Sequence, residues 1–197
     1  MSLRQLLALL ASVLLAVTAV QAQTSVRVRG TITAIDGNVV SVKSRDGRDL
    51  KITLADNMAV SVAKAIKFED IKPGDSLGVT SMPGADGMPV AIEVHYRPPD
   101  VPEGQGPWDL QPGATMTNAS VAAVVAGTGN RELTLQFKGT TQKVAVPEGA
   151  ALVRTVPGSR SDLTPGEYLF TVAHGTGDQS LSAARIQVSK DGVRPPL

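Results

Sequence analysis

The feature that most constrains the fold of this chain is an internal repeat. Residues 70–75, Asp-Ile-Lys-Pro-Gly-Asp, recur at 162–167 as Asp-Leu-Thr-Pro-Gly-Glu, which is an offset of 92 residues (162 − 70). Two further pairs of segments keep this offset: 51–54 with 143–146, and 91–94 with 183–186. A repeat of this length indicates two copies of one structural unit. The fold can therefore be sought twice in the same sequence.

Each copy has the pattern of an all-β unit. Apolar and polar residues alternate between Asp-Gly turns at 36–38 and 45–47, which is typical of a β-meander. Residues 63–72 are the one segment that resembles a short helix, and Pro73-Gly74 would end it. The strands predicted in the first copy are 28–35, 40–43, 50–54, 76–81 and 90–96. Those predicted in the second copy are 120–125, 132–137, 142–146, 167–173 and 182–188.

Three meander strands, a short helical link and two more strands are the element order of a small OB-like barrel. We therefore predict an all-β protein of two tandem OB-like barrels or sandwiches, each of about five strands and each folded around its own core. The positions predicted to be buried are Ile32, Val42, Ile52, Val79 and Val94, with Val144, Val146, Thr171 and Ile186. The predicted division is a signal peptide at 1–22, a first barrel at 23–97, a Pro/Gly-rich linker at 98–113, a second barrel at 114–192 and a tail at 193–197.

The strand and turn residues of the first copy also resemble a known family. They are Val28-Arg29-Gly30-Thr31-Ile32, Asp36-Gly37-Asn38, Val42 and the 70–75 segment. The pattern resembles a domain-of-unknown-function family of exported bacterial proteins, over about residues 26–96 and more loosely over 119–190. The resemblance implies small β-barrels and brings no catalytic residues with it.

The first 22 residues predict export. Arg4 is their one charged residue, residues 6–20 are almost wholly apolar, and Val20-Gln21-Ala22 offers small residues to a signal peptidase. Cleavage after Ala22 would leave a periplasmic or secreted chain beginning at Gln23. No later segment is apolar over a membrane-spanning length, so we expect no integral membrane segment in the mature chain.

The composition narrows the chemistry further. The 197 residues include no Cys, so disulfides, thiolate nucleophiles and Cys metal sites are excluded. The chain has 19 Lys and Arg against 18 Asp and Glu, and removal of Arg4 leaves a mature chain of no net charge. Such a chain has no global basic field that would collect nucleic acid.

The sequence predicts two kinds of partner-binding residue. Arg45, Arg48 and Lys51 belong to a basic first meander, which suits an anionic surface polysaccharide or lipid headgroup better than a nucleic acid, because stacking aromatics are missing there. Trp108 is the one Trp and lies in the linker. It either folds back onto a barrel together with Leu110, which we favour, or is an exposed anchor for a partner or a sugar ring.

A metal site is the alternative. Met82 and Met88 flank one loop and His95 follows on the next strand, and thioether with imidazole suits copper. Against this, no His-x-His or Met-x-x-Met spacing is present, so a surface His with gap-filling Met is the favoured interpretation.

No constellation of catalytic residues is evident. Ser159 and Ser161 lie near Asp162 without a His beside them, and carboxylates that flank the Pro-Gly turns are expected to cap backbone amides. We therefore predict a protein that is not an enzyme and needs no cofactor. The expected function is an exported envelope binding or adaptor protein whose partner is an envelope protein, a glycan or a small ligand. A periplasmic small-ligand or copper-type metal carrier that uses Met82, Met88 and His95 is the alternative.

Overall fold

The computed structural model describes residues 24–98, 100–127, 130–175, 177–190 and 192–193. Twelve strands make up most of this part of the chain, and they are linked into one hydrogen-bonded sheet system. The first five to be defined are β1 (Thr24–Asp36), β2 (Val39–Ser44), β3 (Asp49–Ala65), β4 (Ser76–Pro83) and β5 (Pro89–Tyr96). The others are β6 (Gly104–Pro107), β7 (Thr115–Gly127), β8 (Asn130–Phe137), β9 (Thr140–Ala145), β10 (Ala151–Pro157), β11 (Tyr168–Gly175) and β12 (Leu181–Ser189). The all-β class predicted from the sequence is confirmed.

Five strands close into a barrel. β1, β2 and β3 form the antiparallel meander, β12 runs parallel to β3, and β11 lies between β12 and β1. Each strand thus has a partner on both sides, which removes the exposed edges of the sheet. The barrel takes its first three strands from the first copy and its last two from the second.

The remaining strands surround a second hydrophobic core. β4 and β5 of the first copy pair with each other, β4 also pairs with β7, and β5 runs parallel to β10. β7, β8 and β9 form the meander of the second copy, and a single residue pair, Val90 with Ala145, joins β9 to β5. The prediction that each copy folds around its own core is wrong, because each of the two cores receives strands from both copies.

The length of β3 explains this exchange of strands, in which each core contains strands from both copies. Its 17 residues pair with β2 and β12 within the barrel and then, over residues 61–65, with β10. Val62 is buried in the first core and Ala63 continues the strand, so the helix predicted at 63–72 is wrong. The only helical residues there are the single 3-10 turn Phe68–Asp70. The strand therefore carries the chain away from the first barrel before β4 begins.

The two halves are related by a local two-fold arrangement. β3 and β10 pair in antiparallel fashion, and the central pair, Ala63 with Thr155, joins two residues that are 92 apart (155 − 63) and therefore equivalent in the repeat. The flanking pairs, Ser61 with Pro157 and Ala65 with Val153, exchange under the same relation. This contact has the self-complementary form of a two-fold interface, made here within one chain.

The repeated Pro-Gly turns hold the exchange in place. The Gly74 N–H donates to the carbonyl of Val121 at 2.8 Å, and the equivalent Gly166 N–H donates to the carbonyl of Ile32 at 2.8 Å. Each turn thus bonds to the first strand of the other copy. Both glycines have a φ of +93°, a conformation that side chains other than glycine rarely adopt.

The carboxylates near these turns act as caps. Asp70 accepts the backbone N–H of Lys67 at 2.9 Å, and its equivalent Asp162 accepts that of Ser159 at 2.8 Å. This confirms the capping role expected for Asp162 and Asp70. All nine positions predicted to be buried are buried.

No helix in the described residues is long and apolar enough to cross a membrane. The predicted signal peptide at 1–22 lies outside the residues that the structure describes.

Candidate functional site

The linker forms a hairpin that the sequence did not predict. β6 pairs in antiparallel fashion with the start of β7, and the Trp108 N–H donates to the carbonyl of Ala114 at 2.8 Å. The turn is completed by the N–H of Ala114, which donates to the carbonyl of Gln111 at 3.0 Å, and Gly113 has a φ of +84°. β6 pairs with β7 alone and lies off the main strand order, an edge position that a proline-rich strand can occupy.

This hairpin is fixed to the barrel by a buried arginine. Arg29 of β1 is only 6 % exposed, and its two terminal nitrogens donate to the two carboxylate oxygens of Asp109 at 3.1 and 2.8 Å. Arg27, two residues earlier on the same strand face, approaches Asp109 to 3.7 Å. A paired, doubly hydrogen-bonded arginine and carboxylate define both position and orientation.

The same arginines contact the indole of Trp108. The guanidinium carbons of Arg27 and Arg29 lie 4.7 and 5.8 Å from the ring centroid, within the range of cation–π attraction. Leu110, two residues on, is buried. The interpretation that Trp108 and Leu110 fold back onto a barrel is therefore confirmed, and the indole is half-buried.

The electrostatics of this contact favour an ionised carboxylate. Hydrogen bonding from Arg29 holds the pKa of the Asp109 carboxyl below its ordinary value, and the charges of Arg29 and Arg27 act in the same direction. Partial burial acts the other way and is outweighed. Asp109 is thus charged at neutral pH, as its contacts require.

An open groove of about 710 Å³ lies along the hairpin. We call it the linker groove, and it is lined by Arg45 and by residues 105–115. Arg45 reaches it from the β2–β3 turn and donates to the carbonyl of Leu110 at 2.7 Å. The groove thus combines an indole, proline rings and one guanidinium, in a size range typical of ligand sites.

Of the four partner-binding residues predicted from the sequence, two line the groove and two lie outside it. Trp108 and Arg45 both line the groove. Arg48 instead donates to Asp46 and to Asp178, at 2.8 Å each, and its charge is thereby neutralised. Lys51 is exposed on β3, where its backbone N–H donates to the backbone carbonyl of Asp178 at 2.9 Å.

The three residues of the metal alternative do not converge. Met82 and Met88 flank their loop as expected, but His95 pairs with Gly78, four residues before Met82 on β4. Four strand residues correspond to roughly 13 Å. Among the residues that the structure describes, no group of three His, Asp or Glu side chains is placed to bind a metal.

His95 also differs from the surface histidine that the sequence indicated. Its side chain is only 14 % exposed, and its Nδ1 lies 3.0 Å from Oε1 of the buried Glu93. The ring packs against the backbone of Gly78, where no side chain intervenes. The prediction of a plain surface residue is wrong for His95, because its ring lies over Gly78 of the neighbouring strand and contacts the buried Glu93.

Sequence reasoning missed the three residues that hold the hairpin: Arg27, Arg29 and Asp109. Arg27 and Arg29 are visible in the sequence only as part of a basic strand, and Asp109 only as the neighbour of Trp108. The alternation of Arg with Val on β1 places both arginines on the outer face of the barrel, and that was the one available signal.

Comparison with protein-family models, with curated proteins and with solved structures finds no match to this chain.

Proposed function

We propose that this protein is an exported, non-catalytic binding module of the cell envelope, and that the linker groove is its ligand site. The observation that carries the proposal is the double hydrogen bond between Arg29 and Asp109, which fixes the hairpin so that Trp108 lines the groove and Leu110 accepts a hydrogen bond from Arg45. A site formed in advance loses less conformational entropy on binding than a flexible linker would.

The strands around the second core also have a proposed arrangement. The strands around the second core follow the order of the first barrel, with β7, β8 and β9 in the place of the meander and β4 and β5 in the place of β11 and β12. We propose that they form a second OB-like barrel. On this proposal the protein is a tandem pair with exchanged strands, and the linker groove lies where the two units meet.

Export is tested on the protein recovered from its natural source. Residues 1–22 have the charge and hydropathy of a signal peptide, so the mature chain is expected to begin at Gln23. Mass spectrometry of the intact protein from the extracytoplasmic fraction reads this directly. A chain that retains Arg4 contradicts export by cleavage.

Binding at the groove is tested by comparing three immobilised proteins in an envelope extract: the wild type, Arg45→Ala and Lys51→Ala. Arg45 lines the groove, whereas Lys51 is an exposed base outside it, so Lys51→Ala is a matched control. We expect a component that the wild type and Lys51→Ala retain and Arg45→Ala loses. Equal retention by all three proteins contradicts the assignment of the site.

A further inference from the structure

The charge balance of the linker groove points to the class of its ligand. Arg45 and Asp109 line the groove, and Arg27 and Arg29 both contact Asp109, so these four side chains together have a net charge of about +2 (three minus one). The mature chain as a whole is neutral. A local positive excess on a neutral protein attracts an anionic group to this place in particular.

Arg45 is the residue that can receive that group. Within the described part of the chain it makes one side-chain hydrogen bond, from Nη2 to the carbonyl of Leu110 at 2.7 Å, and no ion pair. A guanidinium has five N–H donors in a fork that matches a carboxylate. Four donors of Arg45 are therefore left for a ligand, on a side chain already anchored at the groove.

The remaining lining suits a sugar chain. The indole of Trp108, over which the Arg27 guanidinium lies, lines the groove together with the rings of Pro107 and Pro112, and Gln111 is exposed beside them. A pyranose ring has the complementary character, since one face is rich in C–H groups and the edge carries hydroxyls. Aromatic rings bind such amphipathic surfaces at low entropic cost.

Two competing anionic partners fit less well. A membrane surface is flat, whereas Trp108 is half-buried and lines a groove. A single-stranded nucleic acid needs successive aromatic platforms, and the groove has only one.

We propose that the linker groove binds a carboxylated polysaccharide, with Trp108 as the platform for a sugar ring and Arg45 as the ligand of a uronate carboxylate. This inference rests on the proposed function, because it names the ligand class of the same site. It follows that the acidic group, and not the sugar ring alone, decides the affinity.

The test uses the mature protein and the emission of Trp108, to which no other Trp contributes. The probes are an oligogalacturonide, a neutral galactose oligomer of equal length and phosphatidylglycerol vesicles. We expect the oligogalacturonide to shift or quench the emission in a saturable way, and the neutral oligomer to bind at least about tenfold more weakly. That difference is the size expected for one charge-assisted pair.

Arg45→Gln is expected to lose the oligogalacturonide response by a similar factor, and Arg48→Gln, whose side chain is held by two carboxylates outside the groove, to keep it. Arg45→Lys retains the charge without the fork and should lie between them. If Arg45→Gln changes the emission of the free protein, the oligogalacturonide affinities of Arg45→Lys and the wild type are compared instead. A weaker affinity of Arg45→Lys supports the carboxylate assignment, and an equal affinity overturns it.

The other outcomes separate the two proposals. Equal binding of the neutral oligomer, or an unchanged response in Arg45→Gln, overturns the carboxylate assignment and leaves a binding module for another glycan. A response to the vesicles alone overturns it in favour of headgroups. If no probe changes the emission, the ligand class is wrong, while the envelope extract compared across Arg45→Ala and Lys51→Ala still tests the module itself.

Discussion

At the scale of single residues, Arg29 decides where the linker docks. The register pairs Arg29 with Phe170 on the first barrel, and the equivalent pair around the second core is Asn118 with Gly78, since 78 and 170 differ by 92. Asn118 cannot replace a buried guanidinium that binds both oxygens of Asp109. The first barrel thus has an arginine where the corresponding register position around the second core has an asparagine, and the arginine holds the hairpin.

The Arg29–Asp109 contact predicts how Trp108 responds to acid. The pKa of Asp109 is lower in the folded protein than in the unfolded chain, so its contribution to stability is present above the unfolded pKa, about 3.9, and is lost as the pH falls through the folded value. We expect blue-shifted Trp108 emission that is constant down to about pH 4 and shifts to the red below it. Fluorescence against pH measures this, with circular dichroism to show that the strands persist.

Two variants control that experiment. Asp109→Asn should give red-shifted emission already at neutral pH, without an acid transition. Asp49→Asn removes a carboxylate that is 81 % exposed and paired with Lys43 away from the hairpin, so it should behave as the wild type. A transition that survives in Asp109→Asn would mean that another group controls the docking.

Ile52 is a second residue with a measurable effect. It is fully buried in the first core, so truncation to Ala should lower the free energy of unfolding by roughly 2–5 kcal/mol through lost burial and a cavity. Its neighbour Lys51 points to solvent, and Lys51→Ala should change the value by less than about 0.5 kcal/mol. Denaturant unfolding of both variants measures the free energy of unfolding. Similar losses of free energy in the two variants would contradict the assignment of strand faces.

At the scale of the elements, close approach of β1 and β2 sets the shape of the barrel. A Cβ added at Gly30 would overlap the backbone carbonyl of Lys43 and lie 2.7 Å from the Cα of Ser44. The register between the two strands shifts three residues later, between Ile32 and Ala34. Gly30 thus permits the tight crossing that precedes this irregularity.

Gly30→Ala should therefore be strongly destabilising, by about 1–3 kcal/mol or more, because backbone atoms cannot move aside as a side chain can. Gly106 of β6 offers the matched control, since a Cβ there meets nothing within 4 Å. Thermal melting of Gly30→Ala and Gly106→Ala measures the contrast. Equal melting temperatures would show that the strands separate at little cost.

At the scale of the whole molecule, the exchange of β4 and β5 for β11 and β12 makes the two copies interdependent. The first barrel lacks two of its strands without the second copy, and the strands of the second core lack β4 and β5 without the first. Many backbone hydrogen bonds and two cores cross between the copies, whereas the linker is one covalent connection. The two parts of the chain should therefore stay associated when the linker is cut.

We expect cleavage of the linker to leave the protein intact under native conditions. A specific protease site inserted between Val101 and Pro102, in an exposed part of the connection, allows the folded protein to be cut. The two fragments should co-elute in gel filtration and separate only in denaturant. Separate native elution would contradict the exchanged architecture, and the uncut protein with the same insertion is the control.

The sequence by itself determined the local features of this protein. Alternation of apolar and polar residues placed most strands and all nine of the predicted buried positions, because the side-chain period of a strand is a local property. The 92-residue offset is likewise visible in the sequence alone, and so was the capping role of Asp70 and Asp162 beside the Pro-Gly turns. Trp108 in a proline-rich segment was enough to predict docking of the linker.

Only the tertiary structure decided which strand pairs with which. Two copies with the same pattern can pair within themselves or with each other, and the hydrophobic period is identical in both arrangements. The continuation of β3 through Ala63 selects the exchange, yet residues 63–72 carry a pattern that also suits a helix. The linker groove also depends on contacts between distant parts of the chain. Arg29, Arg45 and Asp109 are distant in the chain, and only the folded hairpin on the closed barrel brings their charges together, because long-range contacts leave no periodic trace in the sequence.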